Sequence, residues 1–151
     1  MTRINSAIPV QHLTDEHLLA EHREIKRLPY CLQEAVRTGN IKRIPERFVL
    51  GKGHVTFFLD KQQFVYNRYI DIHCAVRGRG FNVQSYIDNW STPCVKDYWN
   101  DYKPTDEERQ LLVERITDRI MHSKKLTWHY CGRAITKEEA VKLLNSNSVT
   151  L

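Results

Sequence analysis

The strongest helical pattern in the chain lies between Thr14 and Arg37 and reads TDEHLLAEHREIKRLPYCLQEAVR. Thr14 and Asp15 are residue types that cap helix N-termini, and Gly39 follows the segment as a typical helix stop. At about 100° per residue, one face collects the apolar side chains Leu18, Ile25, Leu28, Leu32 and Val36. The pattern predicts a core helix, with a kink or a loosened turn at Pro29.

Two further helices are predicted along the chain. The segment 55–79 has apolar side chains on one helical face, and Gly80 is suited to end it. That face carries Phe58, Val65, Tyr69, Ile72 and Val76. Thr105 and Glu108 form a capping box at the start of the next helix. Its apolar face carries Leu111, Leu112, Ile116 and Ile120.

A C-terminal extension covers about residues 136–151. Thr136 and Glu139 form another capping box, which predicts a short packing helix through Leu144. Two long connections join the helices, and the chain has no repeat and no sign of a second domain. We therefore expect one all-α domain over residues 1–151, with three principal helices and long structured loops.

The composition is that of an ordinary globular protein. The chain has 151 residues, of which 41% are hydrophobic and 27% are charged, and these values exclude a disordered protein. No apolar run is long enough to cross a bilayer, and the first residues lack the apolar stretch of a signal peptide. We therefore expect a cytoplasmic protein with no membrane partner. The net charge of +5 permits a polyanionic partner.

No metal or cofactor motif is visible. The four cysteines, Cys31, Cys74, Cys94 and Cys131, are widely spaced, which indicates reduced and mostly packed thiols. The seven histidines lack metal-ligand spacing, and there is no Gly-rich phosphate loop. We expect neither a metal nor a cofactor.

The polar face of the first helix carries one carboxylate among basic and ionisable groups. Taking Glu24 as zero, His17 lies about 20° to one side, and Arg27 and Arg23 lie about 60° and 100° away. A solvated helix face, with Glu24 paired to Arg27 at i,i+3, explains this pattern and is favoured when periodicity alone is considered.

Thr2 is the second candidate for chemistry. A small residue after Met1 generally permits removal of Met1, which would leave Thr2 with a free α-amine. The reference pKa of an α-amine is about 7.7–8.0, so a useful fraction is neutral at physiological pH. A neutral amine is a nucleophile toward a sugar C1′, and Arg3 would lower the amine pKa further and hold a phosphate. Many proteins begin in this way without using the amine.

Several unusual sequence blocks follow one another in a recognisable order. They are MTRIN at 1–5, HLLAEHRE at 17–24, LGKGHVTFFLDK at 50–61, RGFN at 79–82, DYKP at 101–104, TW at 127–128 and GRAI at 132–135. In these blocks the chain resembles the pyrimidine-dimer DNA glycosylase/AP lyase family of T-even bacteriophages. The resemblance covers residues 1 to about 135.

The resemblance implies a monomer that acts on damaged double-stranded DNA at ultraviolet-induced cis-syn pyrimidine dimers, as an N-glycosylase and an AP lyase. It implies that the Thr2 α-amine attacks C1′ of the 5′ nucleotide of the dimer. Glu24 would stabilise the cationic sugar and the imine and assist the proton transfers. The implied DNA contacts are Arg3, Arg23, Arg27, Arg115 and Arg119, with His17 near the active site.

Trp128 and Tyr130 match an aromatic tract that helps to recognise the lesion in that family, and plain packing of the C-terminal region is an equal alternative.

Three alternatives for the function also remain. The same amine chemistry could act on abasic sites or ring-opened purines. The protein could mark damage without catalysis, although the presence of both Thr2 and Glu24 argues against this. It could also be an unrelated basic helical domain.

Overall fold

The computed structural model describes residues 4–146 as a helical domain. Its α-helices are α1 (Asp15–Ile25), α2 (Leu28–Thr38), α3 (His54–Phe58), α4 (Gln62–Gly78), α5 (Asp106–His122) and α6 (Lys137–Leu144). Short 3-10 turns lie at Val10–His12, Asn40–Arg43, Ile87–Ser91 and Pro93–Tyr98. Two strands, β1 (Trp128–Tyr130) and β2 (Arg133–Ile135), form an antiparallel hairpin. The all-α prediction is confirmed, and the hairpin is an addition that was not predicted.

The first predicted helix forms two helices. Thr14 caps α1 as predicted, because its Oγ1 accepts a hydrogen bond from the His17 backbone N–H at 3.2 Å. The break comes directly after Ile25, before Pro29 is reached. Pro29 lies in the first turn of α2, where the missing N–H leaves no helical hydrogen bond unmade. The predicted kink is therefore a complete break.

The second predicted helix is also divided, into α3 and α4. Lys61, between them, has non-helical backbone angles of φ −124° and ψ 49°. Its ammonium donates to the Phe57 carbonyl at 2.7 Å, and the Gln62 side-chain amide donates to the Leu59 carbonyl at 3.0 Å. These bonds satisfy carbonyl groups that the end of α3 leaves without helical partners.

The core is one cluster of apolar side chains drawn from all six helices, and α1 and α4 pack against each other within it. Most predicted core residues are buried: Leu18, Ile25, Leu28, Leu32, Phe58, Val65, Tyr69, Ile72, Val76, Leu112, Ile116 and Ile120. The apolar patterns therefore placed most of the core correctly.

Two predicted core residues are exposed instead. Val36 is 40% exposed and Leu111 is 44% exposed. Around α2, Ala35 lies about 20° from Leu28 and Val36 about 80° from it, so the face that buries Leu28 also buries Ala35 and leaves Val36 at its edge. Leu111 and Leu112 are about 100° apart around α5, so a helix that buries Leu112 turns Leu111 toward solvent.

The predicted C-terminal helix forms as α6 and packs against α5. The Thr136 side chain accepts a hydrogen bond from the Glu139 backbone N–H at 3.1 Å, as a capping residue does. Ala140 and Leu144 are buried, which confirms the expected packing role. The end of the extension, 147–151, lies outside the described residues.

A buried ion pair joins α4 to α1. Arg68 Nε and Nη2 donate to the two carboxylate oxygens of Glu21 at 2.9 and 3.0 Å, and Nη1 donates to the Ile8 carbonyl at 2.6 Å. The Glu21 side chain is 0% exposed and that of Arg68 is 7% exposed. The two-bond geometry is the strongest form of this pair, and it fixes α1 against α4 and the N-terminal loop.

Glu21→Gln should lower the free energy of unfolding by about 3–5 kcal/mol, because it leaves the Arg68 charge buried without its partner. Glu34→Gln is a matched control, since Glu34 pairs with Arg37 on the surface of α2 and exposed pairs add little stability. Urea unfolding at pH 7 measures both changes. Equal stabilities of Glu21→Gln and Glu34→Gln would contradict a structural role for the buried pair.

Candidate functional site

A cleft of about 210 Å³ between α1 and α5 collects five of the ten residues predicted for catalysis or DNA contact. Its lining residues are Asn5, His17, Ala20, Glu21, Arg23, Glu24, Arg115, Ile116 and Arg119. His17 and Glu24 share a face of α1, and Arg115 and Arg119 are one turn apart on α5. The packing of the two helices brings these faces together.

The N-terminal candidates Thr2 and Arg3 lie outside the described residues. Ile4, the first of the described residues, is fully buried, and the next residue, Asn5, lines the cleft. Arg115 Nη2 lies 3.5 Å from Asn5 Oδ1 and donates to it. The chain that directly follows Thr2 and Arg3 is therefore part of the cleft wall.

Two carboxylates line the cleft, and they differ in their partners. Both oxygens of Glu21 accept hydrogen bonds from Arg68, so Glu21 belongs to the framework. The Glu24 side chain is 18% exposed, and its Oε2 accepts a hydrogen bond from Arg27 Nη1 at 2.9 Å. This is the predicted i,i+3 pair. Arg27 itself is not a lining residue and meets the cleft through Glu24. The cleft thus combines one accessible carboxylate with several cations.

His17 connects the cleft to the hairpin. Its ring stacks on Trp128 with a centroid distance of 5.2 Å and an interplanar angle of 6°, and its Nδ1 lies 2.9 Å from Thr14 Oγ1. Burial, together with the charges of Arg119 and two other cations, lowers the pKa of His17 to about 4. The ring is therefore neutral near pH 7 and acts there as a hydrogen-bonding and stacking group.

Both predicted aromatic residues of the hairpin make packing contacts. Trp128 is 7% exposed and covers His17. Tyr130 is half-buried; its hydroxyl donates to the Gln11 carbonyl at 2.8 Å, and its ring lies under the Arg79 guanidinium at 4.4 Å. These contacts agree with the packing alternative. Contact with a lesion stays a prediction.

Asp15 holds the hairpin turn, a role that the sequence analysis missed. Its carboxylate accepts hydrogen bonds from the backbone N–H groups of Cys131 at 2.9 Å and Gly132 at 2.7 Å, and from Arg79 Nη1 at 2.9 Å. Cys131 and Gly132 have φ values of +52° and +80°, as a tight two-residue hairpin turn requires. The sequence signal for this turn was Gly132, which follows a short segment that alternates apolar and polar residues.

The pKa of Asp15 makes this contact dependent on pH. Burial alone would raise the pKa of the Asp15 carboxyl, but hydrogen bonds from the Gly132 amide and the Arg79 guanidinium outweigh burial and hold it below its ordinary value. A carboxyl with a lowered pKa stabilises the fold above its unfolded-state pKa, and this contribution disappears as the pH falls through the folded-state pKa.

Asp15→Asn should lower the free energy of unfolding by about 1–3 kcal/mol at pH 7. The difference from wild type should shrink between pH 5 and pH 3, because wild type loses the Asp15 contribution as that carboxyl is protonated. Urea unfolding at pH 7, pH 5 and pH 3 tests this prediction. Asp118→Asn is the control, because Asp118 is an exposed residue of α5. A difference that stays constant with pH would contradict a role for the Asp15 charge.

A larger cavity of about 720 Å³ lies beside the hairpin, but its two arginines serve the fold. Arg68 and Arg79, which line it, are engaged in buried ion pairs. Cys74 and Cys131 also line it. All four cysteines are free thiols, and these two are exposed. The expectation of mostly packed thiols is therefore wrong for Cys74 and Cys131.

Residues 4–146 contain neither a membrane-spanning helix nor a candidate metal cluster. None of the helices in this range is long and apolar enough to span a membrane. In the same range, no three His, Cys, Asp or Glu side chains are grouped closely enough to hold a metal ion.

A family of known proteins matches the N-terminal part of the chain. The model of the family described as pyrimidine dimer DNA glycosylase matches residues 1–89, which is more than half of the chain. The match includes Thr2, Arg3 and Glu24, whereas Arg115 and Arg119 follow it in sequence and reach the same cleft through the packing of α5. The chain therefore belongs to the pyrimidine dimer DNA glycosylase family and is a DNA repair enzyme with DNA as its substrate.

Proposed function

We propose that the protein acts on cis-syn pyrimidine dimers in duplex DNA as a combined N-glycosylase and AP lyase, through a Schiff base formed by the Thr2 α-amine. In this proposal Glu24 is the catalytic carboxylate. The protein acts as a monomer, and the reaction requires no metal and no cofactor.

The observation that carries the proposal is the shared cleft of Glu24 and Asn5. Thr2 precedes Asn5 by three residues, and three residues of extended chain span at most about 11 Å. This length supports delivery of the Thr2 amine to the neighbourhood of Glu24. Attack of an amine on a sugar C1′ needs a carboxylate to stabilise the positive charge and cations to hold the neighbouring phosphates. The cleft offers Glu24 and several arginines for these two tasks.

The chemistry balances with these groups. The Thr2 nitrogen forms a bond to C1′ while the glycosidic bond breaks, and the proton that the nitrogen loses goes to the departing pyrimidine. The C1′–O4′ bond of the sugar then breaks, O4′ takes up a proton, and the nitrogen lone pair forms the C1′=N double bond. The resulting iminium makes the C2′ hydrogens acidic. Loss of one C2′ proton, with Glu24 as the acceptor, sends its electron pair toward C3′ and breaks the bond to the 3′ phosphate. Before it accepts this proton, the negative charge of Glu24 stabilises the cationic sugar and then the iminium.

The arginines account for binding to the damaged strand. Arg23 and Arg119 are exposed cations that line the cleft beside Glu24, and Arg27 is held at Glu24 itself. We propose that these side chains, with Arg3 and Arg115, hold phosphates around the lesion. Such contacts supply affinity without sequence preference. A dimer also weakens local pairing, so turning a nucleotide out of the helix costs less there than in intact DNA.

We assign a supporting role to the aromatic pair of His17 and Trp128. Their stacked rings lie against α1 beside the cleft. The neutral His17 ring can donate or accept a hydrogen bond without adding charge to the site. Tyr130 belongs to the same hairpin, and we propose that this hairpin faces the distorted duplex.

Borohydride trapping tests the proposal. The three substrates are duplexes with a single cis-syn thymine dimer, with an abasic site and without damage, and mass spectrometry locates the adduct. The protein is first confirmed by mass to begin at Thr2. We expect an adduct at the Thr2 amine with the dimer duplex and with the abasic duplex. Trapping with the abasic duplex alone would remove dimer specificity, and the absence of any adduct would remove the amine mechanism.

A further inference from the structure

His54 fixes the backbone of the chain close to its N-terminus. The Ile4 backbone N–H donates a hydrogen bond to His54 Nε2 at 3.0 Å, across 50 residues of sequence. Both residues are buried, with exposed fractions of 0% for Ile4 and 1% for His54. Ile4 is two residues after Thr2 and directly precedes Asn5, which lines the cleft. The hydrogen bond to His54 therefore holds the backbone between Thr2 and the cleft wall.

The hydrogen bonds of His54 define which ring nitrogen carries the proton. Nδ1 lies 2.9 Å from the Val49 carbonyl oxygen. A carbonyl can only accept, so Nδ1 carries the proton and donates it to Val49. Nε2 of the neutral ring then offers a lone pair, which the Ile4 N–H uses. Each nitrogen of His54 thus has one defined task, and an apolar side chain could perform neither.

The surroundings of His54 hold its ring rigidly. Phe48 and Phe58 contact the ring edge-on, each with a centroid distance of 5.5 Å. Gly53, directly before His54, has φ +91°, and a Cβ atom there would lie 3.3 Å from Pro45 Cγ. The chain therefore enters α3 at a fixed angle, and the acceptor nitrogen has a fixed position.

Longer contacts hold the side chains of Asn5 and Ser6. Asn5 meets Arg115 at 3.5 Å, and Ser6 Oγ donates to Glu108 Oε2 at 3.4 Å. The bond to His54 is shorter than both and is made by the backbone nearest to Thr2. Among the contacts of the described residues, it is therefore the one that lies nearest to Thr2 along the chain.

We propose that His54 is a positioning residue for the reaction: by fixing the Ile4 amide, it directs the Thr2 amine toward the Glu24 cleft. This inference rests on the proposed role of the Thr2 amine as nucleophile. The physical reason is that an amine on a tethered, oriented segment reacts at a far higher effective concentration than one on a loose segment, and a displacement of about 1 Å can cost about 100-fold in rate.

Three variants separate positioning from packing. His54→Phe keeps an aromatic ring between Phe48 and Phe58 but removes the acceptor for the Ile4 N–H. His54→Gln places an amide oxygen near the position of Nε2 and should restore part of the bond. Phe57→Leu disturbs the same aromatic cluster, because Phe57 contacts Phe48 and Phe58, and it leaves the two rings that pack against His54 in place.

The measurements are the single-turnover rate of borohydride-trapped adduct formation, the dissociation constant for the dimer duplex and hydrogen exchange of the Ile4 amide. His54→Phe should slow trapping by about 10- to 100-fold, with binding unchanged within about twofold because the phosphate contacts remain. Exchange of the Ile4 amide should become faster. His54→Gln should recover much of the rate, and Phe57→Leu should keep the wild-type rate when folded.

A second route avoids any change in the core. A synthetic segment covering residues 2–30, with an ester in place of the Ile4 amide, can be ligated at Cys31. The ester removes the N–H donor and leaves His54 intact, so it should slow trapping as His54→Phe does. Trapping at the wild-type rate in both proteins, with the adduct at Thr2, would overturn the role of His54 alone. An adduct at another residue in wild type would overturn the proposed nucleophile and the role of His54 together.

Discussion

Protein with an acetylated N-terminus, or with Met1 retained, should bind a dimer duplex normally and fail to cleave it. An acetylated nitrogen has no nucleophilic lone pair, and a retained Met1 moves the free amine by about 3.8 Å along the chain. Because the amine mechanism has no second nucleophile in reserve, we expect cleavage to fall by at least about a thousandfold, whereas phosphate contacts keep the affinity within a few-fold.

The protein is made with a protease-cleavable leader fused directly before Thr2. Single-turnover cleavage and binding are then compared for one preparation before and after the leader is removed. Leader removal should restore full cleavage, which shows that the loss was caused by the blocked amine and by no other damage. Undiminished trapping in the blocked protein would instead indicate a lysine as the nucleophile.

The parts of the fold that depend on local chemistry were predictable from the sequence. The side chains of Thr14, Thr105 and Thr136 each accept a hydrogen bond from a backbone N–H three residues later, as their capping patterns predict. These signals lie within one turn of helix. They therefore do not depend on which other segment packs nearby.

The helix breaks depend on distant residues and could not be predicted in this way. The Asn89 side chain donates to the Lys26 carbonyl at 3.0 Å, directly after the end of α1. The Asn100 side chain donates to the Asp60 carbonyl at 2.9 Å, between α3 and α4. Each asparagine satisfies a carbonyl at a helix break, and no local pattern near the break records its presence.

The same distinction applies to the site. Helical spacing placed His17 and Glu24 on one face of α1, and the family resemblance added Arg115 and Arg119 on α5. Asp15 and His54 were missed, because each acts through backbone groups more than 45 residues away. A buried polar residue shows its role only when its partners are known.

Glu24→Gln should reduce cleavage of the dimer duplex by about 100- to 10,000-fold, the range for loss of a group that transfers a proton and stabilises charge in the transition state. Glutamine keeps the size of the side chain and an oxygen that can accept from Arg27, which lies 2.9 Å from the carboxylate in wild type. The change therefore removes the charge and the base with little change in packing.

Binding should respond in the opposite direction. Removing a negative charge beside Arg23, Arg115 and Arg119 reduces repulsion of the DNA phosphates, so affinity for the dimer duplex should stay the same or rise slightly. Single-turnover cleavage and an equilibrium binding titration, both at one fixed salt concentration, give the two quantities. A variant that binds well and cleaves poorly has lost a chemical step.

Glu34→Gln is the matched control for this experiment. Glu34 pairs with Arg37 at 2.7 Å through the same i,i+3 spacing that joins Glu24 to Arg27, but it lies on α2 and does not line the cleft. If Glu24 were only one half of a surface ion pair, the two substitutions would have equal and small effects. Normal cleavage by Glu34→Gln with strongly reduced cleavage by Glu24→Gln would separate the catalytic carboxylate from a solvated helix face, which periodicity alone could not do.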